Sequence, residues 1–210
     1  MSNKAIDDLN QIKAIMERST KFLSLSGWSG IWVGTCGLIA SGVLYNWQTK
    51  SLYSYQELSL SDPYQTAYTA TNLLLLALIT FFVAVTGGFF FTIRKTKKQG
   101  QPFLNKVTKR LLIRFSVPLI IAGILCLIWY KHNLLPFTLP TTLVFYGLAL
   151  YSVQDGTVNE VKIIALIHIV LGLLAFYFLD YNLLLWALGF GLTHLLYGII
   201  LWNKYDKNSL

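Results

Sequence analysis

Six long apolar runs, separated by short polar segments, are the feature that most constrains this sequence. Each run holds about 18 or more residues, enough for a helix to cross a hydrocarbon core of about 30 Å. Charged residues make up only 12% of the chain, about half the share of a soluble domain, and the mean hydropathy is +0.55. The sequence therefore predicts an all-α polytopic membrane protein, with a bundle of six transmembrane helices over residues 25–203. The predicted spans are 25–45, 69–93, 111–130, 134–153, 161–179 and 183–202.

The two ends of the chain follow different patterns from the spans. Near the N-terminus, Ile6, Leu9 and Ile12 recur at near-helical spacing between charged residues, and no apolar core of a signal peptide is visible. We expect residues 1–24 to form an amphipathic helix on the cytoplasmic surface of the membrane. Residues 204–210 are expected to form a short cytoplasmic tail.

Positive charge falls mostly on one predicted side of the membrane. Of the 17 Lys and Arg residues, 14 lie in the N-terminal segment, the second and fourth loops and the C-terminal tail, whereas only Lys50 and Lys131 lie opposite. Because cytoplasmic segments are enriched in Lys and Arg, both termini are predicted to be cytoplasmic. The segment from Arg94 to Arg110 holds seven basic residues and no acid. It is expected to attract anionic lipid headgroups rather than nucleic acid, for which no recognition motif is present.

Glycines recur at spacings of three and four on several predicted helices. Such stripes let a second backbone approach closely, so we interpret them as helix-packing faces. Packing within one chain and packing between chains both satisfy the pattern, so a homo-oligomer stays an alternative. The glycines assigned to these faces are Gly27, Gly30, Gly34, Gly37, Gly172, Gly191 and Gly198.

Two histidines, His168 and His194, lie inside the last two apolar runs. Each is 12 positions from the turn at 180–182, or about 18 Å along a helix, and each shares a face with small residues, where hairpin helices are expected to meet. Ionisable residues inside a membrane are candidates for function. One hypothesis is that the pair forms a ligand or proton site with Arg114, in the cytoplasmic half of the third span. The alternatives are structural packing for the histidines and snorkelling to the interface for Arg114.

A histidine pair also raises the question of a metal or a haem. Zinc is disfavoured, because a usual site needs three or four ligands and no Asp, Glu or Cys is predicted at the same depth. Haem ligation by His168 and His194 is chemically conceivable, but a porphyrin needs more room than helices packed about 8–10 Å apart allow. The sequence contains no G-x-S-x-G, no HExxH and no intramembrane cluster of carboxylates, so no catalytic residue is assigned.

Two stretches, SLSGWSGIWVG at 24–34 and ALGFGLTHLLYGIILWNKY at 187–205, resemble the first and last spans of a family of small bacterial six-span integral membrane proteins without an established activity. The resemblance implies a bacterial cytoplasmic (inner) membrane and no particular substrate. Three functions stay open: a binding, sensory or regulatory membrane protein, a small-molecule or proton-coupled permease, and a histidine-ligated haem or metal redox protein. We favour the first, because transporters usually show internal duplication or broken helices at mid-membrane, and neither is plain in this sequence.

Overall fold

The computed structural model describes residues 26–55, 63–99, 106–158 and 160–207, and the chain is helical through nearly all of them, with no strand in these ranges. Six helices in the described part are long and apolar enough to cross a membrane. The predicted all-α class and six-helix transmembrane bundle are thereby confirmed. The expected amphipathic helix at 1–24 lies outside the described residues.

The helices follow the apolar runs of the sequence. The first five are α1 (Gly27–Tyr55), α2 (Pro63–Lys98), α3 (Lys106–Lys131), α4 (Thr138–Val153) and α5 (Glu160–Tyr177). The last, α6, runs over residues 182–206 and alternates between two helix types. It consists of the α-helical stretches Asn182–Trp186 and His194–Leu201 and the π-helical stretches Ala187–Thr193 and Trp202–Asp206.

Helix α6 lies at the centre of the bundle. It packs against α1 on one side and against α4 and α5 on the other, while α2 packs on α1 and α3 packs on α4. The apolar stretches of α2 and α3 bury almost none of their residues within the protein. These two outer helices expose large apolar side chains such as Phe82, Phe90 and Ile120. In a membrane, such side chains face lipid rather than water.

Glycines bring the backbones of α1 and α6 into close contact. A Cβ added at Gly30 would lie 2.8 Å from the Cα of Gly198, and a Cβ at Gly34 would lie 2.8 Å from the carbonyl oxygen of Gly191. On α5, by contrast, a Cβ at Gly172 would lie 2.7 Å from the backbone nitrogen of Val144 on α4. The glycine of α5 therefore contacts α4, whereas these two glycines of α6 contact α1. The spacing of the small residues had suggested that the glycines of α5 and α6 would contact each other, and they do not.

Asp206 joins the ends of three helices. Its Oδ2 accepts hydrogen bonds from the backbone N–H of Gly27, at 2.9 Å, and from the hydroxyl of Ser26, at 3.3 Å. Its Oδ1 lies 2.6 Å from Nζ of Lys95 at the end of α2. The first N–H groups of a helix lack partners within it, and a carboxylate is favourable at that end of the helix dipole. The last residue of α6 thus caps α1 from outside.

Candidate functional site

Three polar rings meet at the centre of the bundle: Tyr146 from α4, His168 from α5 and His194 from α6. The ring centroids are 4.9 Å apart for the two histidines, 5.1 Å for Tyr146 and His168, and 5.2 Å for Tyr146 and His194. His168 is fully buried and His194 is 5% exposed. The structure thus brings together the two histidines singled out in the sequence and adds Tyr146, which was not predicted. We call these three residues the central cluster.

Hydrogen bonds define the tautomer of each histidine. Nδ1 of His168 lies 2.9 Å from the carbonyl oxygen of Ile164, and Nδ1 of His194 lies 3.2 Å from the carbonyl oxygen of Gly189. A carbonyl can only accept, so both Nδ1 atoms carry the proton in a neutral imidazole. Nε2 of His194 is then an acceptor, and it receives the hydroxyl of Tyr146 at 2.7 Å.

Nε2 of His168 differs from its counterpart on His194. It is buried, and no residue of the described chain forms a hydrogen bond with it. With Nδ1 protonated, this atom is an acceptor with an unused lone pair. A buried acceptor without a partner costs about 1–3 kcal/mol. Within the described chain the cluster therefore contains one buried acceptor without a donor, and a hydrogen-bond donor bound to it would be stabilised.

The π-helical stretch Ala187–Thr193 ends directly before His194. Gly191 and Gly198 face α1, whereas the ring of His194 faces α4 and α5. A π-turn bonds residue i to i+5 and so holds more residues than an α-turn, which changes the angular position of His194 relative to Gly191. The wider turn also lets the carbonyl of Gly189 accept from the side chain five residues later. Such π-turns are frequent at functional sites.

Gly189 allows α6 to approach the cluster closely. A Cβ at this position would lie 2.5 Å from Cδ2 of Leu143 and 3.6 Å from Cδ2 of His168. A side chain here would therefore either displace the side chain of Leu143 or push α6 away from α4. The glycine lies within the π-helical stretch that directly precedes His194.

Aromatic side chains form the walls of the cluster. Phe190 lies parallel to the ring of His194, with centroids 5.8 Å apart and an interplanar angle of 11°, and meets His168 edge-on at 5.4 Å. Phe115 of α3 contacts the ring of Tyr146 edge-on at 5.9 Å. These contacts hold the rings in fixed orientations, and apolar walls strengthen each hydrogen bond inside them by lowering the local dielectric constant.

Arg114 does not join the central cluster. Its side chain is exposed on the outside of α3, and only its carbonyl is engaged with α4, by the hydroxyl of Ser152 at 3.2 Å. Its side chain lines an open groove with Lys109, Arg110 and Ile113. We expected Arg114 to lie near the histidines because it is at a similar depth. Its side chain instead lies on the exposed outer side of α3, away from them.

The donor set of the cluster does not fit a metal or a haem. Among the described residues, no three His, Cys, Asp or Glu side chains are grouped so that they could hold a metal ion. The two imidazoles touch at an interplanar angle of 84°, and Nε2 of His194 is already engaged by Tyr146. A porphyrin between His168 and His194 would need a gap that these contacts close.

Comparisons with known protein families, with curated proteins and with solved structures found no match for this chain. The function of the central cluster is therefore inferred from its own geometry. That geometry is an aromatic-walled group of three hydrogen-bonding rings, two of them buried imidazoles, in which Nε2 of His168 has no hydrogen-bond partner in the described chain.

Proposed function

We propose that this protein is a small binding or sensory membrane protein and that the central cluster is its ligand site. The open Nε2 of His168 supports this proposal most directly. A donor that forms a hydrogen bond with this nitrogen would recover about 1–3 kcal/mol, the cost of burying an acceptor without a partner. Because the cluster joins α4, α5 and α6, a ligand bound there would bias how these three helices pack.

The chemistry around His168 favours a neutral hydrogen-bond donor over a proton or another cation. On the same helix, Glu160 is eight residues away, or about 12 Å, and Asp180 is twelve positions away in the following turn, or about 18 Å. A charge at the centre of a membrane costs about 2.5–3.5 kcal/mol even on the mildest scale, and neither of these carboxylates is near enough to offset it. We therefore assign the site to a small hydroxyl, amide or urea group.

A small-molecule permease is the second candidate. One observation favours it: α6 is interrupted beside the cluster by the π-helical stretch Ala187–Thr193. Irregular helices near mid-membrane are a feature of transporter binding sites. The proton-coupled version ranks lower, because it requires a charged imidazole in surroundings without a counter-charge. A haem or metal redox protein is not proposed, since the donor set does not fit either group.

The proposal places the chain in a bacterial cytoplasmic membrane with both termini cytoplasmic. The bacterial membrane rests on the resemblance of 24–34 and 187–205. The orientation is supported by the basic residues at the ends of α2 and α6, among them Lys97, Lys98 and Lys204, because cytoplasmic ends are enriched in such residues. The segment from Arg94 to Arg110 would then contact anionic headgroups.

A second copy of the chain is not required for this function. The glycine faces of α1 and α6 contact each other within one chain, as Gly30 and Gly198 do. These faces therefore offer no free surface to another protomer, and a homo-oligomer would have to form through other helices.

The ligand site is tested by thermal unfolding of the purified protein in mild detergent against a panel of small alcohols, primary amides and ureas. We expect at least one compound to raise the Tm of the wild type by about 2 °C or more when it is present far above its Kd. His168→Leu should abolish the rise. His132→Leu is the matched control, because it makes the same change in an exposed turn. If no compound stabilises the wild type, or if His168→Leu responds equally, the ligand site is rejected.

The permease is tested separately, in proteoliposomes. Compounds that stabilise the protein are offered to vesicles containing the wild type, vesicles containing His168→Leu, and empty vesicles. Uptake above the empty-vesicle leak that disappears in His168→Leu would favour a permease. Binding without such uptake would favour the sensory or regulatory protein.

A further inference from the structure

A second group of polar side chains lies on the outside of α3, near the start of that helix. Lys109, Arg110 and Arg114 line an open groove of about 410 Å³ together with Ile113, and all four residues are exposed. The ion pairs formed within the described chain involve Lys95 and Lys204, so none of these three cations has an acidic partner there. Among the residues that the structure describes, the groove is a concentration of positive charge that no ion pair compensates.

The spacing of the two arginines suits a phosphate group. Arg110 and Arg114 are four residues apart, which places them on one face of α3 with a rise of about 6 Å between them. A guanidinium binds phosphate oxygens through two parallel hydrogen bonds, so it is the preferred side chain for this group. Lys109 adds a third positive charge at the rim.

An apolar track continues from the groove along α3. It begins at Ile113, which itself lines the groove, and repeats at intervals of three and four residues, so its members lie on one face of the helix. The track consists of Ile113, Val117, Ile120 and Ile124, and each of them is more than half exposed. A cationic pocket above an exposed apolar track matches an anionic headgroup above an acyl chain.

We propose that Lys109, Arg110 and Arg114 bind the headgroup of an anionic phospholipid whose acyl chain lies along the exposed face 113–124 of α3. The charge of the groove calls for an anion, and the adjoining apolar face favours a lipid over an acidic peptide or a free phosphate. This site is separate from the central cluster, and it requires only that the chain spans a membrane. It differs from a diffuse attraction between a basic loop and the membrane surface, because it assigns one lipid to the open groove on α3.

Native mass spectrometry of the full-length protein in mild detergent tests the proposal. Phosphatidylglycerol is titrated against phosphatidylcholine with the same acyl chains. We expect the wild type to bind phosphatidylglycerol about ten-fold more tightly, and the Arg110→Gln/Arg114→Gln double variant to lose that preference. Arg94→Gln/Lys97→Gln is the matched control, since it removes the same charge from exposed positions at the end of α2, outside the groove.

The outcomes separate a pocket from general electrostatics. Loss of the preference in the α3 variant and its retention in the α2 control support the site. Equal losses in both variants would overturn it in favour of diffuse attraction, and so would equal binding of the two lipids by the wild type. Arg114→Gln alone should lower the preference about three-fold, and a preference unchanged in both α3 variants also rejects the proposal. The helix content of each variant is checked by circular dichroism. The side chains of Arg110 and Arg114 are exposed, so we expect their replacement with Gln to leave the packing of the helices unchanged.

Discussion

The hydroxyl of Tyr146 donates a 2.7 Å hydrogen bond to Nε2 of His194 and so joins α4 to α6 at the centre of the bundle. The neighbouring His168 holds its own ring through Nδ1 and leaves Nε2 without a partner in the described chain. The two histidines occupy equivalent places on either side of one turn, yet only His194 has both ring nitrogens engaged. The site is therefore asymmetric, and its two imidazoles are expected to respond differently to substitution.

Replacing Tyr146 with Phe should destabilise the protein by about 1–2 kcal/mol. The change keeps the aromatic ring in place but leaves Nε2 of His194 as a buried acceptor without a donor. The upper part of that range is near the largest value found for hydrogen bonds between membrane helices. Denaturant unfolding in detergent measures the effect. Tyr151→Phe, on an exposed position of the same helix, is the control and should change stability little. Equal effects in the two variants would show that the hydrogen bond contributes nothing.

His194→Leu should cost more stability than His168→Leu. Removing His194 leaves the hydroxyl of Tyr146 without its acceptor, at about 1–3 kcal/mol. Removing His168 loses one hydrogen bond to Ile164 but also eliminates the open acceptor, so the two effects largely offset each other. The free energies of unfolding of both variants give the comparison directly. The opposite order would mean that His168 is the structural residue and that its Nε2 is satisfied in the folded protein.

The depth of the histidines could be predicted from the sequence, but the composition of their site could not. Counting residues from the turn placed His168 and His194 level with each other, because the rise per residue of a helix is nearly constant. Tyr146 gave a weaker signal. It lies eight residues inside α4 rather than at an end where tyrosines sit at the lipid interface, and a buried tyrosine hydroxyl needs a partner. Its partner, however, comes from a helix 48 positions away, and no local pattern encodes that contact.

The orientation of side chains around each helix was the least predictable feature. A regular helical period assigned Gly191, His194 and Gly198 to one face of α6. In the structure both glycines contact α1, while the ring of His194 contacts Tyr146 on α4 and His168 on α5. Arg114 was placed at a suitable depth, but α3 packs chiefly on α4, and the side chain of Arg114 lies on its exposed outer face. The depth of a residue in the membrane follows from counting along the chain. The direction that its side chain faces around the helix axis depends on which other helices pack against that helix.

Gly30→Ala should destabilise the contact between α1 and α6 by about 1–3 kcal/mol. The new Cβ would lie 2.8 Å from the Cα of Gly198, and because a backbone atom cannot rotate away as a side chain can, overpacking forces the helices apart. Gly42→Ala is the matched control on the same helix, since a Cβ there meets nothing within 4 Å. The control should be neutral, or more stable by up to about 1 kcal/mol through helix propensity. Thermal unfolding of both variants in one detergent provides the measurement, and equal stability would contradict the close approach of α1 to α6.

Asp206→Ala should loosen the start of α1, although Asp206 lies 179 positions from Gly27, the residue that it caps. The substitution removes the acceptor for the N–H of Gly27 and the partner of Lys95, and losing a cap of this kind costs about 0.5–2 kcal/mol. Hydrogen exchange followed by mass spectrometry should show faster exchange in peptides that cover the first turn of α1. Lys204→Ala is the control: it breaks the exposed ion pair with Glu160 at the same end of the bundle, and exposed pairs contribute about 0–1 kcal/mol. If exchange near Gly27 is unchanged in Asp206→Ala, the cap supplied by α6 has no effect on α1. If it rises equally in Lys204→Ala, the effect is one of general charge at that end.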